Sequence, residues 1–178
     1  LIAEGLLAPY GDEERPDIPM EMALARIRQL SAHEVGHTLG IQHNMAASTQ
    51  NRASVMDYPH PLIQINDDGS IGLDEAYGVG IGEWDKRVIM YGYQDFPDDI
   101  DPQAGRDAIM AETIAQGYVY VSDPDSRSIS SAHPLGNLWD NGEDPTAELK
   151  RILKVRTLAL DTFGEDNKEE NKEGDPGL

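Results

Sequence analysis

Two histidines stand four residues apart in the run His33-Glu34-Val35-Gly36-His37-Thr38-Leu39-Gly40-Ile41-Gln42-His43. On a helix this spacing places both imidazoles on one face, about one turn apart. Rings placed so can hold a single Zn²⁺ at ~2.0–2.1 Å. Glu34 follows the first ligand, where its carboxylate can reach a water on the metal and act as general base. Gly40 permits a sharp turn, and His43 returns as a third nitrogen ligand. Three protein ligands leave the fourth zinc position open, which marks a catalytic rather than a structural site. The chemistry is then hydrolysis by an activated water. Two surface histidines on an unrelated helix would account for His33 and His37, but not for Gly40 and His43 at their further spacings.

The first two ligands need a helix, and residues 19–39 predict one. They are mostly good helix formers, and Met20, Leu24, Ile27 and Leu30 recur at helical spacing. Asp17 can cap it, Pro19 suits its first turn, and Gly40 stops it. Residues 44–80 are broken by Pro59, Pro61, Gly69, Gly72, Gly78 and Gly80. Within them, 62–65 and 70–73 are short strand candidates around the turn Asn66-Asp67-Asp68-Gly69. The same stretch sets Asn66, Asp68, Gly69, Ile71 and Glu75 at positions resembling a calcium loop, with Gln64 where Asp is expected. The hairpin is the preferred reading and Ca²⁺ the alternative. The acidic run Asp95, Asp98, Asp99 and Asp101 reads as a solvated loop, again with calcium as the alternative, and His60 and His133 lie outside any ligand spacing.

Further helices are expected over 83–91, with Trp84, Val88 and Tyr91 on one side, and over 103–116, with Ile109, Thr113 and Gln116 at helical spacing. A last helix runs from Asp144-Pro145 to about Thr162, with Leu149, Ile152, Leu153, Val155 and Leu158 as its apolar side. Residues 118–121 are a strand candidate, and 122–143 read as turns. The fold class expected is mainly α with few short strands. One core over 1–163, opening on an extended lead-in at 1–17, is followed by a charged tail at 164–178 that reads as disordered.

Length and composition agree with a globular chain: 178 residues, 39% hydrophobic and 26% charged. A net charge of −19 argues against nucleic acid, which needs clustered Lys and Arg. No stretch approaches the ~20 apolar residues of a membrane span. Cysteine is absent, so there is no disulfide framework. The chain begins Leu1-Ile2-Ala3-Glu4, without an initiator Met or a signal segment, and is expected to be a piece of a longer precursor.

With Ser54-Val55-Met56-Asp57-Tyr58 downstream, the histidine motif resembles the metzincins, whose signature is followed by a methionine-containing turn. The resemblance implies that Met56 packs beneath the zinc site. It also makes Tyr58 a candidate metal ligand or oxyanion partner, as in astacins and serralysins; a core tyrosine is the alternative. The runs 43–48, 54–58, Ile81-Gly82-Glu83-Trp84-Asp85-Lys86, Tyr91-Gly92-Tyr93 and Leu138-Trp139-Asp140-Asn141-Gly142 look like a family of large bacterial zinc-dependent metallopeptidase-like proteins. It implies a zinc endopeptidase acting on protein or peptide, in an extracytoplasmic setting. Metzincins place a β-sheet subdomain before the zinc helix, and only 32 residues precede His33. The chain is therefore expected to be the C-terminal part of such a domain, feeble or inactive alone and prone to self-association. The rival reading is a non-catalytic zinc-stabilised binding module derived from a peptidase.

Overall fold

The computed structural model describes residues 17–162. The tail expected over 164–178 lies outside them, as does all of the lead-in but Asp17. Among the described residues the chain is mainly helical, with five α-helices and one two-stranded sheet. The helices are α1 (Ile18–Thr38), α2 (Glu83–Tyr93), α3 (Pro102–Ala115), α4 (Asp123–Arg127) and α5 (Pro145–Thr162). The strands are β1 (Gln64–Ile65) and β2 (Ile71–Gly72). No described helix is long and apolar enough to cross a membrane. The chain divides into two compact units.

In its described part, the first unit comprises residues 17–26, Pro61–Tyr77 and 146–162. β1 and β2 pair antiparallel, Gln64 opposite Gly72 and Ile65 opposite Ile71. The turn is closed by Asn66 N–H to the Ser70 carbonyl at 2.8 Å and Gly69 N–H to the Asn66 carbonyl at 2.9 Å. Its polar side chains satisfy neighbours. Asn66 donates to Ser70 Oγ at 2.9 Å, Asp68 accepts from Ser70 N–H at 2.9 Å, and Gln64 donates to Glu75 at 3.3 Å. The segment is thus a hairpin, with Asn66 and Asp68 bonded to Ser70 and Gln64 to Glu75. Ile63, Ile71 and Leu73 form the core with Val155 of α5. Only one strip of α5 meets that core. Val155 is buried, whereas Leu149 and Leu153, expected on the apolar side, are exposed. Arg151 shares the strip. Its guanidinium donates to the Ile63 carbonyl and forms a two-point pair with Glu148.

The second unit comprises Ile27–His60 and Gly78–Pro145. α1 ends as its sequence demands. Gly40 takes φ +81°, Ile41 N–H reaches the Gly36 carbonyl at 3.1 Å, and Gly40 N–H reaches the His37 carbonyl at 3.0 Å. These two bonds are a Schellman stop, which needs a left-handed residue where Gly40 stands. α2 and α3 pack together, and α3 is capped by Asp101, which accepts from Ala104 N–H at 3.0 Å. Ile41, Ala47, Ala53, Val55, Met56 and Trp84 form one core cluster, and Met45, Ala46 and Val121 another.

Two expectations need correction. Residues 118–121 form no strand. Much of their partnering comes from the Asn44 side chain, which donates to the Val119 carbonyl at 2.9 Å and accepts from Val121 N–H at 3.1 Å. A side chain that takes the place of a neighbouring strand leaves no ladder to extend. Helix α4 and a 3₁₀ turn at Ala47–Gln50 occupy segments read as turns or irregular. α1 forms as its helical spacing predicts, with the apolar residues of that spacing (Met20, Leu24, Ile27 and Leu30) exposed. The helix instead buries Gln29, His33 and Gly36.

Candidate metal centre

α1 presents His33 and His37 to one side, and the chain that turns at Gly40 brings back His43. One ligand atom from each histidine lies within 4.8 Å of the others. Among the described residues this is the one group of three or more His, Cys, Asp or Glu side chains placed to hold a metal ion. The acidic run at Asp95–Asp101 is not drawn together in this way.

Each imidazole is anchored through Nδ1. His33 Nδ1–H donates to the Val55 carbonyl at 2.7 Å, and His37 Nδ1–H to the Ile41 carbonyl at 2.9 Å. His43 Nδ1–H donates to Asp123 Oδ2 at 2.6 Å. With every Nδ1 carrying the proton, every Nε2 offers a bare lone pair. Those of His37 and His43 face each other at 3.0 Å. Two lone pairs at that distance repel unless a cation lies between them. A tetrahedral zinc with nitrogens at ~2.0–2.1 Å would set neighbouring donors ~3.3 Å apart. The residues therefore suit a metal ion, and an all-imidazole set with anchored second nitrogens typically takes zinc. Burial lowers the pKa of His33, more than its bond to Val55 raises it, and the neighbouring His37 and His43 lower it further. That keeps the ring neutral, the form that coordinates.

The loop below α1 explains the methionine. Gly36 has no side chain because Met56 occupies its space: a Cβ there would meet Met56 Sδ at 2.3 Å. Met56 is fully buried. Its loop is held by a buried carboxylate from α2, since Asp85 accepts from Ser54 Oγ at 2.5 Å, Val55 N–H at 2.8 Å and Gly82 N–H at 2.7 Å. The Val55 carbonyl is thereby aimed at His33 and also accepts from Gln29 at 3.3 Å. From the other side, Asn44 N–H bonds the Met56 carbonyl at 3.0 Å.

A family model described as Met-zincin matches residues 15–176. The chain belongs to the Met-zincin family. Nothing matches it among curated proteins or among solved structures. The family and the histidine cluster together support a metallopeptidase-like fold.

In this Met-zincin, Glu34 is exposed beside His33 on α1. Tyr58 leaves the methionine loop toward the histidines. Its hydroxyl donates to His43 Nε2 at 2.9 Å, and its ring lies 4.6 Å from that of His43. A strand-like clamp continues from it. Trp139 N–H bonds the Tyr58 carbonyl at 2.8 Å, Asp140 bridges to Pro59 and accepts from Ser48 Oγ at 2.9 Å, and Asn141 donates to the His60 carbonyl at 2.7 Å. Trp139 takes φ +60°, a conformation that costs a side-chain-bearing residue about 1–3 kcal/mol. Sequence reasoning assigned no role to Asp123, Asp85, Asn44 or Gly36. A glycine among helix formers was the signal for Gly36, and the Gly-x-x-Asp spacing of a helix start was the signal for Asp85. Nothing local marks Asp123 as the partner of His43.

Proposed function

We propose that this chain is the catalytic core of a zinc-dependent endopeptidase. The observation that carries the reading is the convergence of three anchored imidazoles whose free nitrogens face one another, with a carboxylate next to the first on the same helix. Zinc bound by His33, His37 and His43 would supply Lewis acidity, activating a water near neutral pH and polarising the scissile carbonyl. Glu34 takes the proton from that water as it attacks and passes it to the departing amine. The Tyr58 hydroxyl, beside the third ligand, donates to the oxygen that gains charge in the transition state. The hydrogen bonds through Nδ1 keep all three rings in one tautomer throughout.

Glu34→Gln tests the assignment. The variant should keep its zinc, because Glu34 is not a ligand, and lose peptide hydrolysis by about 10²–10⁴-fold. Tyr58→Phe should lower turnover far more than zinc affinity. Wild-type turnover in Glu34→Gln would remove Glu34 from its role. A full-length protein that binds zinc yet cleaves no peptide would be the zinc-stabilised binding module instead.

A further inference from the structure

Trp139 is the exposed aromatic nearest in the chain of contacts to the histidines. Its indole lies 5.5 Å from the Tyr58 ring, which in turn lies 4.6 Å from His43. It is 56% exposed, although the residue sits in a left-handed conformation that glycine would adopt without strain. Packing does not require that strain, because the ring is not buried. The backbone around it is instead pinned to Tyr58, Pro59 and His60. A large rigid ring held at the surface, next to the tyrosine of the metal centre, is a binding surface waiting for an apolar face.

We propose that Trp139 is a specificity-determining residue that receives an aromatic or large aliphatic side chain of the peptide, adjacent to the bond cleaved; this rests on the peptidase reading above. The surroundings favour an apolar group over a cation. Leu138, the neighbour of Trp139 in the chain, packs with Tyr58 on the Met45 cluster.

The test uses paired quenched peptides that differ only in Phe against Ala beside the scissile bond, tried on each side of it. Wild type should prefer Phe about tenfold or more in kcat/KM, chiefly through KM. Trp139→Gly removes the ring and suits the backbone conformation, so it should fold and retain zinc. It should bring the two peptides to within about twofold of each other, and Trp139→Phe should restore the preference. An undiminished preference in Trp139→Gly overturns the inference. So does a wild-type preference for Lys or Arg, or loss of zinc from Trp139→Gly. Calorimetric binding of the same peptides to zinc-loaded Glu34→Gln protein separates the two readings. A binding preference for Phe that vanishes with Trp139→Gly supports the inference even if the full-length wild type cleaves neither peptide, in which case the peptidase reading alone fails. Equal binding of both peptides overturns it.

Discussion

Both units have an apolar core, but only the second adds buried polar residues to it among the described residues. The first closes on Ile63, Ile71, Leu73 and Val155. The described buried polar residues, Gln29, His33, Asn44, Ser48, Ser54, Asp57, Asp85, Ser122 and Asn141, all belong to the second. An aliphatic core accepts many packings of similar volume. A buried hydrogen-bond network accepts few, because each unmatched group carries its desolvation penalty. A metal centre must hold its donors to within about half an ångström, so the polar network belongs with the ligands. The difference between the units is therefore one between filling space and fixing geometry.

The largest effect expected is on the ligands themselves. Wild type should carry about one zinc per chain, and His37→Ala should lose it, as read by elemental analysis after gel filtration. Ile71→Val, in the first unit, should leave zinc unchanged and cost about 0.5–1.5 kcal/mol. Full zinc retention in His37→Ala would remove the site. Next in size is Asp85→Ala. It strands the buried donors of Ser54 and Val55 and the half-buried N–H of Gly82, and should cost about 3–5 kcal/mol in urea unfolding. Equal costs for Asp85→Ala and Ile71→Val would erase the contrast between the units.

A third test uses pH. Asp57 is buried, and burial above all, with Asp140 nearby, raises its pKa to about 7 against the opposing N–H bonds from Tyr58 and Ser48. Between pH 3.8 and about 7 the folded state holds a proton that the unfolded chain has released, so stability falls as pH rises through that window. Above it the loss is complete, up to about 4 kcal/mol at about 1.36 kcal/mol per pKa unit. Asp57→Asn lacks this contribution. The stability of wild type relative to Asp57→Asn should therefore decline from pH 4 to 7 and then level, when both are unfolded in urea without metal. A flat difference would place the Asp57 carboxyl in an ordinary setting.

What could be read from sequence follows the same division. The limits of α1, α2, α3 and α5 were legible to within one or two residues, because caps, prolines, glycines and helical spacing act locally. His33, His37 and His43 were legible for the same reason, being spaced by one helix and one turn. Strand 118–121 was misread because its apolar pattern says nothing of a partner, and the partner is largely the side chain of Asn44. The apolar stripe of α1 was legible as a helix but did not tell which face is buried, since the buried face is set by Met56 against Gly36 and by Val55 against His33. Asp85 lies 30 residues from Val55, and Asp123 lies 80 from His43. Pairings over such distances leave no periodic trace.

The smallest effect expected lies where the network meets solvent. The Asp123 side chain is 37% exposed and that of His43 16%. The pair should therefore add little to folding, because water can replace a partly solvated hydrogen bond at small net cost. Its weight falls on the metal. The carboxylate holds the proton on Nδ1, so Nε2 stays bare and points at the other two imidazoles, and its charge strengthens that nitrogen as a donor. Without it, His43 is free to carry its proton on either nitrogen, and one of the two tautomers cannot coordinate. Asp123→Asn keeps an amide oxygen able to accept from Nδ1–H and removes only the charge; Asp123→Ala removes both. Zinc affinity, read by competition with a chelator at fixed pH, should fall about 10-fold in the first and nearer 100-fold in the second. Urea unfolding of the metal-free variants should shift by less than about 1 kcal/mol. Unchanged affinity in Asp123→Ala would show that His43 is oriented by its own backbone turn. A loss of stability as large as that of Asp85→Ala would mean that Asp123 belongs to the buried network and not to its edge.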